Sequence, residues 1–116
     1  MNDPIRGIFE AQQANRWRVA GLDAGARIAR LRKLRKAILD RRSDLHQALL
    51  DDFRKNPCET DLTEIYPTIE EIDSAILHLP KWMKPRRPCR PITLPGARYE
   101  IRCEPRGLVL VLSPWN

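Results

Sequence analysis

Apolar positions recur at helical spacing through the first two-thirds of the chain and at strand spacing after that. Ile5, Ile8, Phe9, Gln12 and Val19 follow an approximate 3.6-residue period. Asp3 is suited to cap that helix, and Pro4 suits its first position, where the missing N–H has no partner to lose. Gly21 and Asp23 mark a break. A second helix is predicted over 24–40, with Ile28, Leu31, Leu34 and Ile38 on one face. Ser43 can cap a third helix, in which Leu45, Leu49 and Phe53 lie four apart, and Asn56-Pro57 is expected to end it. The fourth helix has the clearest pattern. Asp61 and Glu64 have capping-box spacing, and Leu62, Ile65, Tyr66, Ile69, Ile72, Ile76 and Leu79 form one stripe. Pro67 predicts a bend or a late helix start, because proline removes one backbone bond and crowds the preceding turn.

The pattern changes at Pro80. Half of the chain's ten prolines fall between Pro80 and Pro95, among Lys81, Lys84, Arg86, Arg87 and Arg90. This composition predicts an extended connector over 80–98. Beyond Gly96 the period becomes two. Tyr99, Ile101 and Cys103 alternate with Glu100, Arg102 and Glu104, which predicts a half-buried strand at 99–104 with Cys103 as a small buried side chain. After the turn Pro105-Arg106-Gly107, the continuous run Leu108 to Leu112 predicts a strand covered on both faces, as in a parallel sheet. Such a strand needs neighbours, so the chain reads as part of a larger α/β fold.

The chain has 116 residues, and 21 basic side chains against 15 acidic ones give a net charge of +6. This length predicts one domain at most. No apolar run approaches the ~20 residues that span a bilayer, and the N-terminal residues lack the pattern of a signal peptide. Three cysteines, Cys58, Cys89 and Cys103, are widely spaced, and His46 and His78 form no motif with them. No metal site is expected, and the cysteine usage points to a reducing, cytoplasmic compartment. The basic residues between Arg27 and Arg42 are interleaved with the apolar stripe, which favours a solvated helix face. A stand-alone helical module binding nucleic acid or another acidic partner is the alternative. Glu64, Glu70 and Glu71 read as a solvated face rather than an acid/base pair.

The segment Glu104 to Asn116 resembles the aldehyde dehydrogenase superfamily. Pro105, Gly107, the apolar run, and then Pro114-Trp115-Asn116 reproduce that family's Pro-x-Gly turn, strand and Pro-Trp-Asn motif. Upstream, Arg27 to Asp52 and the run from Glu64 to Pro85, with Pro-Lys-Trp-Met at 80–83, look like class 3-type members, which include fatty and aromatic aldehyde dehydrogenases.

The resemblance implies an α/β enzyme with a Rossmann-like cofactor domain, of which this chain supplies the N-terminal helices and the first strands. It would place residues 1–79 as the helical part of the cofactor domain. Residues 80–98 become a connector, 99–104 a strand of the oligomerisation arm, and 105–116 the first cofactor-domain strand with its turn. It implies oxidation of an aldehyde to a carboxylic acid with NAD or NADP, through a cysteine thiohemiacetal and a thioester hydrolysed by glutamate-activated water, in a homodimer. Asn116 would donate its side-chain N–H to the oxyanion. Pro114 and Trp115 would shape the turn and contact the cofactor through the backbone. The family's nucleophile, base and main cofactor residues have no counterparts here, so the chain alone is expected to be inert. The resemblance implies no nucleic-acid partner and no membrane segment.

Overall fold

A computed structural model of the protein describes residues 4–88 and 98–113. The elements in order are α1 (Pro4–Ala20), α2 (Ala24–Asp40), α3 (Arg42–Phe53), α4 (Pro57–Thr60), a π-helical turn (Asp61–Ile65) and α5 (Tyr66–Trp82). They fall into two compact units. Residues 24–84 form one, and the residues up to Asp23 together with those from Pro85 form the other.

In the first unit α2 packs along α5, and the core is small. Ile65, Ile69 and Ile72 are the buried apolar side chains among the described residues. All three come from the predicted stripe, while Leu62 and Tyr66 at its start are exposed. Leu34, expected on the inner face of α2, is also exposed, because it lies at the edge of the arc set by Ile28, Leu31 and Ile38.

Two helix boundaries differ from the pattern. α3 ends at Phe53, where Arg54 takes a left-handed conformation (φ 57°). The Arg54 N–H then reaches the Leu50 carbonyl at 2.9 Å and the Lys55 N–H that of Leu49 at 3.3 Å, satisfying carbonyls the helix end leaves open. Asn56 then starts a helix instead of ending one. Its side-chain oxygen accepts the Cys58 N–H at 2.8 Å, and Pro57 fills the first helical position. At the other end, α5 runs through Pro80 to Trp82, past the predicted boundary at 79.

Pro67 does not delay helix formation: the helical run is continuous from Pro57 to Trp82, with a π-helical turn just before the proline. α5 begins at Tyr66, with the proline in its first turn. The Tyr66 N–H bonds the Asp61 carbonyl five residues back, which makes the preceding turn a π-turn. Two hydroxyls support the carbonyls around it: Thr63 Oγ1 donates to Glu59 O at 3.0 Å, and Thr68 Oγ1 to Glu64 O at 2.6 Å.

The second unit contains α1 and the residues from Pro85. α1 buries none of its side chains, and the proposed Asp3 cap lies outside the described residues. No strand forms among the described residues, so the strands expected at 99–104 and 108–112 are not present. Arg86 and Ile101 instead make one isolated antiparallel bridge, at 3.0 and 2.8 Å. The reason is physical: an extended segment becomes a strand only when a neighbouring backbone accepts its hydrogen bonds. Val109 to Leu112 are accordingly exposed, with Leu110 at 83% and Leu112 at 84%. Cys103, expected to be buried, is exposed, since no sheet face covers it.

Candidate functional site

The best-defined constellation of charged groups lies around Asp61, at the start of the π-turn. Asp61 is buried, and α3 supplies its partners from the turn following α2. Arg42 Nε donates to Asp61 Oδ1 at 2.8 Å, and its terminal nitrogen reaches Oδ2, so the guanidinium grips both carboxylate oxygens. His46 Nε2 lies 2.8 Å from Oδ1. One turn of α3 separates Arg42 from His46, which brings both side chains to the same face. The guanidinium also sits 5.8 Å from the Tyr66 ring centre.

The Arg42 hydrogen bonds hold the Asp61 carboxyl well below the usual carboxylate range. Burial opposes this, and the His46 hydrogen bond adds to it. The same pairing raises the Arg42 guanidinium further above its already high value. An ionised carboxylate only accepts, so His46 Nε2 is the donor of its bond. A second pair braces the same turn, with Lys55 Nζ 2.6 Å from Glu64 Oε1. That lysine, aided by Thr63, lowers the Glu64 carboxyl against the effect of burial. Both carboxylates are therefore ionised and occupied by donors, an arrangement that fixes the fold of the turn and suits neither for proton transfer.

Asp61 was expected to cap the fourth helix in a box with Glu64. It is instead an ion-pair partner, and Glu64 belongs to Lys55. An Asp followed three residues later by Glu has the same spacing in either role. The partner Arg42 lies 19 residues away in a basic run, with no local periodicity to connect it to Asp61.

The expected site residues Pro114, Trp115 and Asn116 lie outside the described residues, as does Cys89. Cys58 and Cys103 are both exposed free thiols. Among the described residues no group of His, Cys, Asp and Glu could hold a metal ion, and no helix is long and apolar enough to cross a membrane. An open cleft of about 220 Å³ in the second unit lies between α1 (Gln12, Arg16, Val19) and the residues Pro105, Gly107 and Leu108. Gly107 has φ +92°, a conformation glycine supplies at little cost, but this turn leads into extended chain and not a helix N-terminus. The described residues thus do not form the phosphate cradle of a nicotinamide nucleotide. No chemical step through such a cofactor follows from them.

Several of the basic residues from Arg27 to Arg42 pair with carboxylates. Arg35 meets Asp73 at 2.8 Å, Lys36 meets Asp40 at 2.5 Å, and Arg42 meets Asp61.

Comparison with known proteins defines the class. The profile of the aldehyde dehydrogenase family matches residues 4–116, and the chain belongs to that family. Over all 116 residues it is 33% identical to human aldehyde dehydrogenase family 3 member B1, covering 24% of that protein. It is 37% identical over 111 residues to 4,4'-diaponeurosporen-aldehyde dehydrogenase of Staphylococcus aureus, covering 96% of this chain and 23% of the relative. With aldehyde dehydrogenase family 3 comG of Dictyostelium discoideum it shares 32% identity over 114 residues. The class 3-type resemblance is thereby shown. The chain spans about a quarter of the length of these relatives.

Proposed function

We propose that these residues are the N-terminal part of an NAD(P)-dependent aldehyde dehydrogenase that oxidises an aldehyde to a carboxylic acid. The observation that carries this reading is the family match from residue 4 to residue 116, together with about one-third identity to family 3 relatives along the whole chain. In the complete enzyme, 1–79 belong to the Rossmann-like cofactor domain, 80–98 connect it to the oligomerisation strand 99–104, and 105–116 enter the cofactor domain. There the run Leu108 to Leu112 gains the neighbouring strands it lacks here. This accounts for five apolar side chains in a row ahead of Pro-Trp-Asn.

The chemistry is that of a cysteine nucleophile, carried by residues this chain does not contain. Asn116 contributes an amide N–H to the oxyanion, a donor whose loss costs about 3 kcal/mol of barrier in comparable sites. Pro114 and Trp115 set the turn that aims it. The substrate class is a fatty or aromatic aldehyde, the working form a cytoplasmic homodimer, and the 116 residues alone are inactive. The comparisons lend no support to the stand-alone helical module.

The test is the formation of NADH or NADPH by the native protein supplied with a long-chain or an aromatic aldehyde. Turnover that thiol alkylation abolishes is expected. Absence of turnover with both nucleotides and both aldehyde classes overturns the reading. Turnover by the isolated 116 residues would overturn the assignment of the nucleophile to another part of the protein.

A further inference from the structure

Charge within residues 24–84 is segregated by element. α2 carries six cations against the single carboxylate of Asp40, whereas residues 42–84 carry nine carboxylates against five cations. Along α2, Ile28, Leu31 and Ile38 share the half-buried face, and α2 packs on α5. At 3.6 residues per turn, Lys33 and Lys36 fall opposite that face and Arg30 and Arg32 on its two flanks, and all four are exposed. Lys36 is matched by Asp40. Arg30, Arg32 and Lys33 have no acidic partner among the described residues.

We propose that this outward face of α2 docks the protein on an anionic lipid surface. Several Lys and Arg side chains on one helix face are what a negatively charged leaflet attracts, each within reach of the surface adding about a fivefold gain in binding. The helix presents them within about 9 Å along its axis, as follows from the six residue steps between Arg30 and Lys36 at about 1.5 Å each. Ile28, Leu31 and Ile38 are half-buried where α2 packs on α5, so contact is made by charge at the headgroup level, without insertion. The carboxylates on the other elements are repelled by the same surface and orient the unit with α2 toward it. α2 has no aromatic side chain on which a nucleobase could stack, which favours a lipid surface over nucleic acid. This inference is independent of the aldehyde dehydrogenase reading, and its readout is binding and not turnover.

The experiment is co-sedimentation of the native protein with vesicles of phosphatidylcholine alone, and with vesicles containing one-third phosphatidylserine. Binding is expected only to the second, and to weaken steeply as salt shortens the reach of charge. Replacing Arg30, Arg32 and Lys33 together by Gln should weaken it about 100-fold. If that triple variant loses its helical circular dichroism, the single variant Lys33→Gln, expected to bind about fivefold more weakly, decides instead. Equal binding to both vesicles, no binding to either, or variants that bind like the parent would overturn the proposal. So would displacement of the protein from the vesicles by an RNA homopolymer that the same residues bind more tightly.

Discussion

Replacing Ile69 by Ala tests whether α2 and α5 form the stabilising core. Ile69 is 6% exposed, between Ile65 and Ile72 on the inner face of α5, and these three are the buried apolar side chains among the described residues. Truncation removes most of the side chain's burial energy and leaves a cavity that helices anchored at both ends fill only in part. Substitutions of this kind cost 2–5 kcal/mol, so a loss of about 3 kcal/mol is expected. For a unit of this size each kcal/mol lowers the melting temperature by roughly 4–8 °C, which gives a fall of about 12–24 °C. Thermal melting followed by helical circular dichroism measures it. Ile5→Ala, at a position 75% exposed on α1, serves as the control and should change stability by less than about 0.5 kcal/mol. Equal melting of the Ile69→Ala variant and the parent would show that the observed packing does not hold the helices.

Further outcomes follow from single features. Thr60 is fully buried and its hydroxyl has no hydrogen-bond partner among the described residues, so Thr60→Val should raise stability by about 1 kcal/mol, and a lower melting temperature would reveal a partner. Asp61 has a carboxyl lowered in the folded state, so its ion pairs stabilise fully above the unfolded value near 4 and progressively less as pH falls below it. Urea midpoints of the parent and Asp61→Asn should therefore differ at neutral pH and converge in acid, and a pH-independent difference would contradict this. Arg54→Gly relieves a left-handed residue at the end of α3 and should stabilise by up to about 1 kcal/mol in the same urea titration. Destabilisation would mean the arginine side chain matters more than its backbone. Leu110→Lys should raise the solubility of the isolated chain, because an exposed apolar run of high β-propensity favours self-association. Unchanged light scattering would refute that assignment of the sticky segment.

Local patterns identified what local forces decide. The span of α2 follows from its periodicity and the break at Gly21. The family was legible in the turn, apolar run and Pro-Trp-Asn motif, because backbone and side-chain demands there constrain many adjacent residues at once. Three features were not legible, and two of them depend on something distant. The role of Asp61 depends on Arg42 and His46 in another helix. The π-turn is defined by the Tyr66 N–H reaching the Asp61 carbonyl five residues back, a register that no composition of its own marks. Strand formation at 99–104 and 108–112 depends on neighbouring backbone, so strand-like periodicity there yields exposed extended chain and a single bridge.

The central claim is that these residues are one part of a working dehydrogenase, and the intact mass of the native protein tests it most directly. Relatives of which the chain covers about a quarter predict a mass about four times the 13.5 kDa of these residues. A native product of 13.5 kDa would contradict the account. The family would then describe ancestry only, since the nucleophile and the cofactor site would have nowhere to reside.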